Sequence, residues 1–294
     1  MRLPLEAVPN FSEGRDHGAI DAIGAALAAH ANLLDVHRDE DHNRCVFTLV
    51  GEDHALVEAL LAGIARALEL IDLRTHTGAH PRIGAADVVP IVPMRRSDRE
   101  RAGDTARRLA ERVGAELELP VFLYADLAPG RGPAFFRTGG PAELQRRLDS
   151  GELAPDFGPP RLHRSAGGVI VGARLPLIAF NVNLTGADLE TARAIARVVR
   201  ERDGGFPGVR ALGLDLAAAG MTQVSMNVED WQASDLLEIV ERIEAEAHAR
   251  GAGIAGSELV GLMPAGATAA AAGSALRISG FDASRVLELR LLGE

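Results

Sequence analysis

The segment His76-Thr77-Gly78-Ala79-His80-Pro81-Arg82 gathers two imidazoles and a guanidinium in one short run. Histidine changes charge near neutral pH, so either ring suits general acid or base work. Pro81 biases His80 towards an extended backbone, and Gly78 and Gly84 let the chain turn, so a loop is expected here. Two readings stand side by side: proton transfer at a ring, or histidines that only hydrogen-bond loop backbone. Metal binding is a third, because His76 and His80 have the four-residue spacing of zinc-binding helices. That spacing needs a helix to put both rings on one face, which Gly78 and Pro81 oppose. No metal is expected.

A second polar run, Asp39-Glu40-Asp41-His42-Asn43-Arg44, reads first as a solvated connection between strands. Its one functional prospect is Arg44, which at the start of a strand could reach a ligand carboxylate. The glycine stretches Pro129-Gly130-Arg131-Gly132-Pro133 and Ser165-Ala166-Gly167-Gly168 lack the G-x-G-x-x-G form between strand and helix, so no dinucleotide fingerprint is present. Trp231 and Tyr124 need no role beyond packing or a surface contact.

Composition narrows the chemistry further. All 31 basic residues are arginine, so Schiff-base catalysis, pyridoxal phosphate attachment and the Walker-type phosphate lysine are unavailable. Arginine stays protonated and grips carboxylates with paired hydrogen bonds instead. The formal net charge of −10 comes without a long basic run, which argues against nucleic acid and anionic membranes as partners. A single cysteine, Cys45, excludes an internal disulfide and every multi-cysteine zinc site. With no long uncharged apolar stretch and no secretory start, the cytoplasm is the expected location.

The elements that must position these residues follow from periodicity. Strand Leu3 to Val8, helix Asp16 to His30, strands Asn32 to Val36 and Cys45 to Val50, helix Asp53 to Leu70 and strand Asp87 to Val92 run in the order βαββαβ. A helix at Asp98 to Val113 and a strand at Pro120 to Tyr124 extend this half. Residues Leu127 to Pro160 read as irregular, with one short helix near Ala142 to Leu148. The second half repeats the order: strand Leu177 to Asn183, helix Asp188 to Arg200, strands Val209 to Leu216 and Thr222 to Asn227, helix Ala233 to Arg250, strand Gly253 to Leu259. C-terminal helices are expected at Leu262 to Ala272 and Ala283 to Leu292. Doubling of one pattern points to an α+β duplication of split βαβ units, divided into residues 1–175 and 176–294.

Six segments, in order and across both halves, resemble the formiminotransferase family. They are Val8-Pro9-Asn10-Phe11-Ser12-Glu13-Gly14, Asp41-His42-Asn43-Arg44, His80-Pro81-Arg82-Ile83-Gly84-Ala85-Ala86-Asp87, Ala154-Pro155-Asp156-Phe157-Gly158-Pro159, Ile178-Ala179-Phe180-Asn181-Val182-Asn183 and Gln223-Val224-Ser225-Met226-Asn227. The resemblance implies two ferredoxin-like subdomains with a ligand groove between them. It also implies transfer of a formimino group from N-formimino-L-glutamate to tetrahydrofolate in histidine breakdown. His80 takes the place of the family's catalytic histidine. The folate-binding stretch corresponds to Gly158, Pro159, Pro160, Arg161, Leu162, His163, Arg164, Ser165, Ala166 and Gly167. Arg44 and Arg82 are the expected partners of substrate carboxylates. A homodimer is implied, and no cyclodeaminase domain is expected, because the sequence ends at Glu294.

Three positions depart from the family's usual pattern. Ala79 stands where a glutamate usually precedes the histidine, and His37 where animal members have aspartate. Ser165-Ala166-Gly167 lacks the aromatic many members carry before that glycine. The first two remove negative charge near the expected site, and such a charge raises a histidine's pKa. Two alternatives therefore accompany the leading expectation: a related one-carbon transferase with another donor, and a folate-binding homologue without catalysis.

Overall fold

In the computed structural model, residues 2–78, 80–216, 220–279, 281 and 283–287 are described. The chain divides into two compact units, Met1–Leu175 and Pro176–Glu294.

In the first unit, β1 (Leu5–Ala7) and β2 (Asn10–Phe11) form one strand interrupted at Pro9, a residue with no N–H to give a ladder. Helix α1 (His17–Ala28) is capped by Asp16, whose side chain accepts from the amide of Ala19, and buries Ile20, Ile23 and Leu27 at helical spacing. Strands β3 (Asn32–Asp39) and β4 (Arg44–Gly51) form a hairpin whose turn holds His42 and Asn43. Helix α2 (Asp53–Leu70) turns Leu56, Leu60 and Ile64 onto the sheet. Strand β5 (Ala86–Pro93) is buried along its whole length. Helix α3 (Arg99–Glu116), strand β6 (Val121–Ala125), helices α4 (Pro133–Arg137) and α5 (Gly140–Asp149), and strand β7 (Val169–Ala173) complete the unit.

β4 and β5 flank the interrupted β1–β2 strand, all antiparallel. β3 pairs with β4 at one edge, and β7 then β6 extend the sheet from β5 in parallel. Parallel strands need cover on both faces, which explains two buried clusters. One lies under α1, α2 and α3. The other joins Ile83, Val88, Phe122, Phe136, Leu144 and Ile170 beneath α4 and α5.

The second unit contains β8 (Ile178–Thr185), α6 (Leu189–Val199), β9 (Val209–Leu216), β10 (Met221–Val228), α7 (Leu236–His248), β11 (Gly253–Val260) and α8 (Ala265–Leu276). Its antiparallel sheet has the order β11-β8-β10-β9, with Val182, Ile195, Val224 and Ile243 in the core. The protein is therefore α+β, built on two separate sheets.

Several elements differ from the sequence expectation. α4 lies in the stretch read as irregular, and β7 where no element was expected. β7 is a short run containing Gly172, where a Cβ would meet the Tyr124 ring at 2.5 Å, so its glycine marks close strand packing rather than a turn. α7 begins three residues late because Asp235 caps it, accepting from Leu237. Of the last expected helix, Ala283–Arg285 form a 3₁₀ turn, and 288–292 lie outside the described residues. No helix among the described residues is long and apolar enough to cross a membrane.

Candidate active site

The loop between α2 and β5 carries His76, His80 and Arg82, and Arg82 builds it. Its Nε and one terminal nitrogen donate to the carbonyl of His80 at 3.1 and 2.8 Å. The terminal nitrogens also donate to the carbonyls of His42 (2.9 Å) and Asn43 (3.1 Å), and to the ring of His76. A guanidinium has five N–H groups, and all five are engaged inside the loop. Gly78 makes this clamp possible: a Cβ there would lie 2.5 Å from both the Arg82 guanidinium and the His42 carbonyl.

Two other segments lock onto the same loop. Asn43 adopts the left-handed conformation (φ 47°), which asparagine tolerates better than most side chains. Its amide donates to Thr77 O at 2.8 Å and its carbonyl oxygen accepts from Gly14 N at 2.9 Å. Ser12 donates its hydroxyl to Gly84 O at 2.7 Å and its amide to Ala85 O at 2.8 Å. At the start of β5, the Asp87 carboxylate accepts from Ile83 N at 2.7 Å and pairs with Arg137 of α4. Ile83 itself is fully buried in the core.

His80 is thus held at a fixed place, with its Nε2 2.7 Å from a terminal nitrogen of Arg44 at the start of β4. Arginine only donates, so Nε2 is the acceptor and the ring hydrogen sits on Nδ1. Burial pushes the His80 pKa well below the usual value, and the charges of Arg44 and Arg137, then His42 and Arg82, push it the same way. The ring is neutral at physiological pH. His76 is likewise lowered, to about 4, first by burial and then by Arg82. Burial and Arg137 lower Arg44 to about 10 against the pull of Asp87 and Asp39, which leaves it charged at neutral pH. Beside His76 lies a polar cavity of about 320 Å³ bordered by Glu13, Arg15, Asn43, Asp72 and Thr77.

Residues Gly158 to Gly167 come to the same loop. Gly158 packs its backbone against Gly114 of α3. The far end is joined to the His80 loop by backbone bonds, Ala85 N to Ala166 O at 2.9 Å and Gly168 N to Ile83 O at 3.0 Å. Gly167 has φ 69°, and a Cβ there would lie 1.9 Å from Ile83 O. Between these anchors a small hairpin, His163 paired with Gly167, leaves Arg161, His163 and Arg164 exposed. His37 lies half-buried on β3, opposite Val46. Ala79 lies outside the described residues.

Of the residues expected from sequence, His80, Arg44 and Arg82 meet directly, and the Gly158–Gly167 segment abuts their loop. Sequence reasoning passed over Asn43 as a structural pivot and the Asp87–Arg137 pair. The pivot had a signal, an asparagine in a polar turn just before a strand. The pair had none, being 50 residues apart. Cys45 is buried, and burial raises its thiol to about 12, which leaves it inert.

Two family models match this chain: the N-terminal subdomain of the formiminotransferase domain over residues 4–174, and the formiminotransferase domain over 179–278. The chain belongs to the formiminotransferase family. It is 39% identical to a glutamate formimidoyltransferase of Streptococcus pyogenes serotype M1, over 98% of this chain and 99% of that one. It is 40% identical to the glutamate formimidoyltransferase of Thermoplasma acidophilum, over 98% and 97%. It is 39% identical to the formimidoyltransferase-cyclodeaminase of Rattus norvegicus, over 88% of this chain and half of the rat protein.

Proposed function

We propose that the protein transfers the formimino group of N-formimino-L-glutamate to tetrahydrofolate, giving 5-formiminotetrahydrofolate and glutamate, with His80 as the proton carrier. The observation that carries this reading is a neutral imidazole, fixed beside a charged arginine, on a loop bonded to the Gly158–Gly167 segment. A secondary amine attacking an amidine carbon must lose a proton, and the departing glutamate nitrogen must gain one. An imidazole with a free lone pair performs both in sequence, through a tetrahedral intermediate and with no covalent enzyme adduct. Such catalysis contributes about 10²- to 10⁴-fold.

Arg44 has a double part in this reading. It covers the His80 lone pair until a substrate carboxylate draws the guanidinium away, because a bidentate carboxylate is the stronger acceptor. Arg82, fully engaged within its loop, is assigned to holding His80 rather than to binding substrate. Arg161 and Arg164, exposed on an anchored hairpin, suit the carboxylates of a folate tail.

We further infer that the two units, residues 1–175 and 176–294, are duplicated ferredoxin-like subdomains. Each contains the run βαββαβ, and numbering the strands within a run gives the neighbour order 4-1-3-2 in both. In this reading the protein works in the cytoplasm as a homodimer and needs no metal. The test is His80→Ala in a steady-state assay with formiminoglutamate and tetrahydrofolate. Turnover is expected to fall at least about ten-fold with folate affinity unchanged. Near-normal turnover of the variant overturns the assignment, and wild-type turnover only with another donor overturns the substrate.

A further inference from the structure

His80 faces a difficulty as a base. The groups around its ring are Arg44 of β4, Arg137 of α4, Arg82 of its own loop and His42 of the β3–β4 turn. The nearby carboxylate Asp87 is already paired to Arg137 and bonded to Ile83. A proton taken by His80 is therefore poorly placed to remain on it during the life of a tetrahedral intermediate.

The neighbouring ring offers a place for it. His42 is buried, and its Nδ1 lies 2.5 Å from the Asp39 carboxylate. A carboxylate only accepts, so His42 carries its hydrogen on Nδ1 and exposes a lone pair on Nε2. That Nε2 is buried and has no hydrogen-bond partner among the described residues. A buried polar atom without a partner is costly and calls for an explanation. The His42 and His80 rings stand edge to face with centroids 6.0 Å apart. The ring hydrogen of His80, on Nδ1, and the vacant lone pair of His42, on Nε2, are complementary. Burial would raise Asp39, but its hydrogen bonds from His42 outweigh that and hold the carboxyl below its usual value, with His37 adding to the effect.

We propose that Asp39 and His42 form a proton relay behind His80, so that His80 acts as base and then acid without remaining a cation. In the first step Nε2 of His80 takes the proton of the attacking amine, and the proton on its Nδ1 passes over one bridging water to Nε2 of His42. The charge then lies on a His42 imidazolium beside the Asp39 carboxylate. His80 is left neutral with its hydrogen on Nε2, the form that can protonate the departing nitrogen. When it does so, His42 returns its proton to Nδ1. No proton is gained or lost over the cycle. His42 is a positioning residue that acts through His80, and the proposal rests on the formiminotransferase reading.

The test is His42→Asn, with Asp39→Asn beside it, assayed as kcat and KM against pH. His42→Asn is expected to lower kcat about ten-fold or more and to leave both KM values within about two-fold. The acid limb of kcat should move about one unit lower, since it then reports His80 alone, and added imidazole should restore part of the turnover. Asp39→Asn should move the limb the same way. A folded His42→Asn protein with unchanged kcat, or with lowered kcat, an unmoved limb and no imidazole rescue, overturns the relay. If the variants do not fold, the ¹⁵N resonances of labelled wild-type histidines decide. Coupled two-step titration of His42, reduced to one step by His80→Ala, supports the relay, and a single step in both proteins overturns it. This readout needs no turnover, so absence of formiminoglutamate activity in the wild type would strike the functional reading alone.

Discussion

Arg82 separates two accounts of the loop, and Arg82→Lys tests them. Lysine keeps the charge but offers three donors at one point instead of five in a planar fork. The wild-type side chain reaches the carbonyls of His42, Asn43 and His80 and the ring of His76. At least two of its five bonds must be lost. Hydrogen bonds to a charged group are worth about 1.5–3 kcal/mol each, which gives about 3–6 kcal/mol. Arg82 is only partly buried, so water restores some of this, and about 2–4 kcal/mol is the working figure. If all of it appears as global stability, Tm falls by about 5–15 °C for a unit of this size. If the loop loosens by itself, the loss appears as faster amide exchange between residues 75 and 84 with a smaller change in Tm. In either case His80 is no longer held on target, and a shift of about 1 Å costs about 10²-fold in kcat. The KM for formiminoglutamate should change by less than about three-fold, because no N–H of Arg82 is left for substrate. Differential scanning fluorimetry, hydrogen exchange and steady-state kinetics measure the three quantities. A KM raised by tenfold or more with kcat and Tm intact would refute the reasoning and return Arg82 to the carboxylate.

Three further outcomes are expected. Arg44→Met removes the cation bonded to His80 Nε2, favouring the protonated ring, so the acid limb of the pH–rate profile should move to higher pH while KM for formiminoglutamate rises. Gly167→Ala forces a Cβ against Ile83 O in a left-handed backbone. It should weaken folate binding in calorimetry and lower kcat together, and loss of neither would detach that segment's role from the His80 loop. His76 and His80 have folded pKa values depressed below the unfolded value of about 6.5, so the unfolded chain binds more protons below that pH. Their contribution is complete above about pH 6.5 and is lost as pH falls. Urea midpoints should drop between about pH 6.5 and 5 in the wild type and less in His76→Gln.

Much of this architecture was legible because local physics dictated it. The spacing of Leu56, Leu60 and Ile64 fixes α2 at both ends as read, Asp53–Leu70, and the β-branched run after Asp87 gives β5. Legibility failed where the determining contacts are distant. β7 is five residues long and exists because β5 and β6 lie on either side of it. α4 is a single turn and a half, yet it brings Arg137 to Asp87. For the site, the loop and its histidines were readable from residue type, and so was Arg44 at a strand start. The separation of roles between the two arginines was not, since Arg82 differs from Arg44 only in which carbonyls surround it.

That separation follows from where each guanidinium stands relative to backbone. Arg82 sits where three carbonyls and a ring converge, and buried carbonyls without donors are costly, so its charge is consumed in closing the loop. Arg44 enters from a strand and, among the described residues, hydrogen-bonds the imidazole lone pair, a weaker acceptor than a carboxylate. A charge consumed within the loop and one that a substrate carboxylate could draw away have different consequences. The fixed one holds the His80 backbone in place, while burial and then Arg44 do most to keep the ring neutral. The exchangeable one makes the ring's basicity depend on what else Arg44 can bind, because withdrawing a donor and a cation from Nε2 raises its affinity for a proton. A substrate carboxylate would thus switch His80 on at the moment the attacking amine needs a base, and an amide in its place would not.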